Sequence, residues 1–154
     1  MKIMKIAFST IIAFVLLGTP AIGQKYRGAP LVYIEVAETM TDDPESRAAL
    51  AEFDKALTAA ITKKKVPVTL TTDKSKAHWI IRGMASNSTG GRAAAVKTLI
   101  FGSGDSTRTE VTLQVIDLKN SIIAYAYNVT IKNENYKSVA EDFAGQFKKD
   151  LNNR

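Results

Sequence analysis

Between residues 107 and 131 apolar and polar positions alternate with a period of two. In the first half Val111, Leu113 and Val115 fall on one face, with Thr109 as the polar start of that row, while Glu110, Thr112 and Gln114 take the other. In the second half Ile123, Tyr125, Tyr127, Val129 and Ile131 line one side, opposite Ala124, Ala126, Asn128 and Thr130. Successive side chains of a strand point to opposite faces, so alternation over this length predicts two half-buried antiparallel strands. Leu118-Lys-Asn-Ser121 is the turn between them, and Asn120 is suited to the left-handed conformation such loops require.

The rest of the chain reads as elements that cover this hairpin. Residues 31–37, Leu-Val-Tyr-Ile-Glu-Val-Ala, form a strand by β-branched content and alternation. After a loop at 39–43, Asp43 caps and Pro44 opens a helix whose apolar stripe is Ala49, Leu50, Phe53, Leu57, Ala60 and Ile61. Arg47, Glu52, Asp54 and Lys55 fall on its wet side, and it runs to about Lys64. Residues 66–71 are a second strand, which Pro67 demotes to an edge. A turn at 73–76 leads to a third strand at 77–85, in which Gly83 marks a bulge or a close backbone approach. Beyond the hairpin and a turn at 133–135, Ser138-Val-Ala-Glu141 reads as a capping box. It precedes a last helix with the stripe Val139, Phe143, Phe147 and Leu151. The order β-α-β-β-β-β-α predicts an α+β domain, a mixed and mostly antiparallel sheet with two helices packed on one face.

The start of the chain changes the setting. Lys2 and Lys5 precede an uncharged run at 6–17, followed by Gly18, Pro20, Ala21 and Gly23. A basic start, a short apolar run and small residues before a cut are the marks of a secretory signal peptide, with cleavage expected after Gly23. The run is too short to span a bilayer comfortably. Residues 1–23 are thus a leader and 24–154 a single domain, enough to bury roughly two-thirds of its unfolded surface. Losing the leader lowers the formal charge from +6 to +4. That is mild, and Lys63-Lys-Lys65 is the one basic cluster, placed where cations complement a helix C-terminus. A nucleic-acid partner, which calls for a basic face with interleaved aromatics, is not expected. The chain has no cysteine, which rules out disulfides, thiolate metal sites and an N-terminal lipid anchor on cysteine. Export to a periplasm or to the medium as a protein without that anchor follows.

One stretch, residues 86–105, fits none of these elements. It is flanked by Gly90-Gly91 and by Gly102 and Gly104, and its apolar middle carries one arginine and one lysine. Long connections in a compact domain are uncommon and often functional. Two readings stand. The segment is either a hairpin tip or short helix over 92–99 tucked on the sheet, or a surface that meets a partner, a membrane or another copy. On the second reading Arg92, Val96, Lys97, Leu99, Ile100 and Phe101 are the contact residues.

Chemistry finds little purchase. Gly91-Arg-Ala-Ala-Ala-Val-Lys-Thr98 misses the phosphate-loop pattern, since Val96 stands where a second glycine lets backbone donors close around phosphate. Gly102-Ser-Gly-Asp105 lacks the spacing of a nucleophile elbow. The single histidine, His78, lies in a strand without a positioned nucleophile. Asp42, Asp43 and Glu45 gather at a helix start, where carboxylates suit the dipole, but without the spacing of a calcium loop. No catalytic residue, metal ligand or cofactor site is expected, and so no enzyme.

The strand at 31–36 with its following helix, Val66 to Leu70, Asp73 with Lys76-Ala-His-Trp-Ile-Ile-Arg-Gly83, and 111–117 with Ile123-Ala-Tyr125 resemble a widespread bacterial envelope domain. Its members include the amino-terminal domain of the Tol-system protein TolB, the periplasmic domain of the curli secretion channel, and lipoproteins that activate penicillin-binding proteins. Gly91-Arg and Phe101-Gly-Ser-Gly104 before a long strand look like a family of small exported proteins of unknown function. This chain has His78-Trp79 where the family commonly has aspartate and tyrosine, and Lys119-Asn-Ser121 in place of a Thr-Gly turn. The resemblance implies an α+β sandwich with a non-catalytic role in protein contacts, as a binding or assembly module of the envelope. Its partners would be an envelope protein or further copies of itself. A subunit of a secretion or membrane-associated assembly, touching lipid or a neighbour through 89–105, is the alternative.

Overall fold

The computed structural model describes residues 28–87, 91–101, 109–131 and 136–154. The expected leader at 1–23, the glycine-serine stretch after Phe101 and the turn expected at 133–135 lie outside the described residues. Among those described, the order is β1 (Leu31–Ile34), α1 (Val36–Met40), α2 (Pro44–Lys63), β2 (Thr69–Leu70), β3 (Trp79–Asn87), α3 (Gly91–Phe101), β4 (Thr109–Asp117), β5 (Ile122–Ile131) and α4 (Tyr136–Asn152), with a single 3-10 turn at Lys74–Lys76. The strands form one sheet in the order β2-β1-β3-β4-β5. β1 runs parallel to both β2 and β3, and the longer β3–β4 and β4–β5 pairings are antiparallel. This is the expected α+β class.

The four α-helices among the described residues lie on one face of the sheet. Register places Val32, Trp79, Ile81, Ala85, Val111, Leu113, Val115 and Tyr127 on that face, and each joins the same buried cluster as Met40, Phe53, Leu57, Leu99, Phe143 and Phe147. Asp43 accepts from the Ser46 amide at 2.7 Å and Pro44 opens α2, as the sequence predicts. α4 docks on β5 through aromatic rings. Phe147 lies 5.2 Å from Tyr125 and 5.5 Å from Phe143, both offset-stacked, and Tyr127 meets Phe143 edge-on at 5.8 Å. Such pairs add about 0.5–1.5 kcal/mol each to the burial they accompany. Trp79 is 8% exposed with its ring 6.2 Å from that of Phe147. Its emission should therefore be blue-shifted in the native protein and move red on unfolding, and a solvent-like native maximum would place this face of β3 wrongly.

Three local expectations are corrected, and at Gly83 one of two alternatives holds. The strand predicted over 31–37 stops at Ile34, and Val36–Met40 is a short helix. Gly83 supplies the reason: a Cβ there would stand 2.5 Å from Val36 Cγ1 and 2.9 Å from Met40 Cε, so the bare backbone lets α1 sit directly on β3. Thr39 Oγ1 accepts from the Gly83 amide at 2.9 Å, replacing a ladder bond that β1 would have made. Gly83 is thus a close approach, and the bulge falls elsewhere. Register shifts at Val115/Ile116, where Ile116 pairs with Ile123 and Ala124 becomes the extra residue of β5. Ser121, with φ 54°, takes the left-handed position of the β4–β5 turn, while Asn120 donates its amide and side chain to Asp117. Finally, α4 begins at Tyr136, so Ser138 lies inside it and Glu141 pairs with Lys63 at 2.9 Å in place of a capping box.

Candidate functional site

Of the residues expected to meet a partner, Val96 and Leu99 belong to the core and Ile100 packs against it. α3 is the tucked helix of the first reading: Ala95, Val96 and Leu99 are at most 1% exposed, and Ile100 is half-buried against the same cluster. This corrects the contact-surface assignment of Val96 and Leu99. Three alanines in sequence favour helix, and Ala95, Val96 and Leu99 then share one face, which β3 and β4 cover. The side chains of Arg92, Lys97 and Phe101 lie outside those described.

On the opposite face of the sheet, burial concentrates on one charge. Glu35 is 2% exposed, and its two carboxylate oxygens are taken by Arg82 Nε and Lys74 Nζ. Lys74 also stands over the Tyr33 ring, 6.0 Å from its centroid. Burial alone would raise the Glu35 pKa, but the hydrogen bonds and charges of Lys74 and Arg82 outweigh it and hold the carboxyl below its ordinary value. A carboxylate saturated by two cations is a poor base, so this centre fixes the start of α1 and offers no acid–base chemistry. Alternation sets Glu35 on the same face as Tyr33, but its partners come from a turn and a third strand, which periodicity does not reveal.

A second carboxylate behaves in the opposite way. A cleft of about 520 Å³ opens between α2 and β1–β2, lined by Val32, Ile34, Asp54, Thr58, Leu70 and Thr71 among others. Asp54 faces inward here, contrary to the wet-side position its sequence spacing predicts. Its Oδ1 accepts from the Ala37 amide at 3.2 Å and so caps α1, whose own N-cap Glu35 makes no side-chain cap. Burial is the main influence on this carboxyl, with the Glu38 charge adding to it and the backbone bonds opposing, and the pKa rises to about 6. A raised pKa means the folded chain holds the proton more tightly than the unfolded one. Stability from this group is complete below the ordinary 3.8 and is lost as pH rises through about 6. Asp54→Asn keeps an acceptor for Ala37 and removes the charge. It should raise stability by about 1–3 kcal/mol at pH 8 and far less at pH 4. Equal gains in melting temperature at the two pH values would contradict this.

The remaining candidate is the uncovered face. Register aligns Tyr33, Ile80, Ile116 and Ile123 in one row across β1, β3, β4 and β5, on the side away from the helices. The bulge at Ala124 puts Ile123 there: one extra residue reverses the parity that sequence alternation implies, and Ile123 is 55% exposed. Met84, further along β3 on the same face, is 49% exposed and Leu118, just past β4, 41%, whereas Ile122, at 54%, stands in the row of Asp117 and Trp79 on the other side. Among the described residues no helix covers this face, no group of three or more metal-binding side chains occurs, and no helix is long and apolar enough to cross a membrane.

No family model and no curated protein matches the chain. Solved structures with a similar fold include a PelC dodecamer from Paraburkholderia phytofirmans, with a TM-score of 0.48 at 13% identity over 81% of this chain and 88% of that one. A leucine-to-methionine variant of that dodecamer gives 0.47 at 14% identity over 81% and 87%. A neuraminyllactose-binding hemagglutinin homologue from Helicobacter pylori gives 0.37 at 15% identity over 86% and 89%. At these scores the likeness assigns no function.

Proposed function

We propose that the chain is an exported, non-catalytic protein-binding or assembly module of the bacterial envelope, and that it binds through the uncovered face of its sheet. The observation that carries this reading is Ile123, 55% exposed at the end of a row with half-buried Tyr33 and Ile116 and buried Ile80, and Met84, 49% exposed further along β3, on a face that no described helix covers. Large apolar side chains left exposed on one face of a globular domain mark a site of protein contact. The chemistry of the two inward carboxylates agrees with it, since Glu35 is neutralised by cations and Asp54 caps a helix. The leader at 1–23 supports export, with Gln24 the first residue of the mature chain. The envelope-domain resemblance described above supports the same class of role.

The test is a photo-crosslinking residue placed at Ile123, with the same probe at the exposed Thr58 on α2 as reference, in cells producing the full chain. Discrete adducts in the envelope fraction from position 123, and none from position 58, are expected. No adduct from 123, or equal adducts from both, would overturn the reading.

A further inference from the structure

The two edges of the sheet are built differently. β2 is two residues long and follows Pro67, and both features discourage a further strand. β5 is ten residues long, and Ile-Ile-Ala-Tyr-Ala-Tyr-Asn-Val-Thr-Ile contains no proline and no charged residue. Natural edge strands are usually guarded by charges, prolines, bulges or covering elements, because their outward amides and carbonyls invite pairing. Among the described residues only one end of β5 is guarded in this way. There the bulge falls at Ala124, and the Arg154 guanidinium holds the Ala124 carbonyl. The stretch from Tyr125 to Ile131 is left as the edge, with Asn128 at its centre.

We propose that β5 pairs antiparallel with the β5 of a second copy, about a two-fold axis at Asn128. A two-fold contact sets each patch against itself, so a charged edge would meet its own sign. The uncharged β5 avoids that repulsion, which favours a second copy over a partner selected by charge. Asn128 suits the axis. It is exposed, its Oδ1 accepts from Thr112 Oγ1 at 2.7 Å, and a carboxamide has both donors and acceptors to offer its own image. With the axis normal to the sheet, two five-stranded sheets become one, and their uncovered faces join on the same side. The inference deepens the proposed function by naming one partner.

The experiment is sedimentation of the purified mature chain, with circular dichroism to show that each variant is folded. The wild type should be a dimer at micromolar concentration. Asn128→Lys and Asn128→Glu should each halve the mass, because like charges then face each other at the axis. Mixing the two in equal amounts should restore the dimer. A monomeric wild type, a mass unchanged by Asn128→Lys, or a mixture that stays monomeric would each overturn the proposal. Those results, with adducts still formed from position 123, would remove the dimer and leave the binding reading standing.

Discussion

Leu99→Ala should cost about 2–5 kcal/mol of stability, the range for removing a fully buried leucine whose surroundings relax only in part. Leu99 is 0% exposed between β3 and α2 in the common core, although it lies in the stretch whose glycine flanks and length suggest a mobile contact loop. The reference is Ile123→Ala on the uncovered face, which should fall within about 0.5 kcal/mol, as surface changes usually do. Urea unfolding of both variants decides between the two placements. A Leu99→Ala protein within about 0.5 kcal/mol of wild type would mean that α3 is no part of the core.

The Glu35 centre carries the second large effect. Lys74 and Arg82 are half-exposed, so removing Glu35 returns two cations to water at modest cost, whereas removing both cations strands a buried charge. The second loss wins. Lys74→Ala with Arg82→Ala should cost about 3–5 kcal/mol at neutral pH, the range for breaking a buried pair from one side. The pH dependence should also change sign. In the wild type the Glu35 pKa is depressed, so its stabilisation is present above the ordinary 4.5 and is lost as pH falls through the lower folded value. In the double variant burial acts alone and raises that pKa. Stability from this group is then complete below about 4.5 and lost as pH rises. Melting temperatures at pH 4 and pH 7 test this, the deficit relative to wild type being smaller at pH 4. A deficit independent of pH would show that Glu35 stays solvated without its partners.

How much of this was legible in the sequence depended on whether the cause was local. The β4–β5 hairpin, α2 with its Asp43 cap and the α4 stripe rest on periodicity and neighbouring residues, and the structure has them within a few positions. The same holds for Gly83, where a lone glycine in a strand correctly signalled a close approach, though not that α1 was the element approaching. What failed depended on distant partners. Residues 35–37 alternate like a strand, yet Asp54 caps them as a helix from another element. Asp54 itself follows the polar side of α2 by spacing but turns inward to that cap. Alternation puts Ile123 on the wrong face because one bulge residue reverses parity, and no composition signal marks Ala124. In residues 91–101 the three alanines and the Ala95, Val96, Leu99 spacing pointed to a buried helix, and the flanking glycines drew attention to the wrong property.

That the uncovered sheet face is the working surface can be measured at a single side chain. Met84 lies on that face at 49% exposure, while Met40 is fully buried beneath α2 and serves as the internal reference. A mild oxidant converts accessible methionine to the sulfoxide, which mass spectrometry counts residue by residue. In the purified protein Met84 should oxidise readily and Met40 slowly. In intact envelopes Met84 should be protected several-fold, with Met40 unchanged. Equal oxidation of Met84 in both settings would contradict the account.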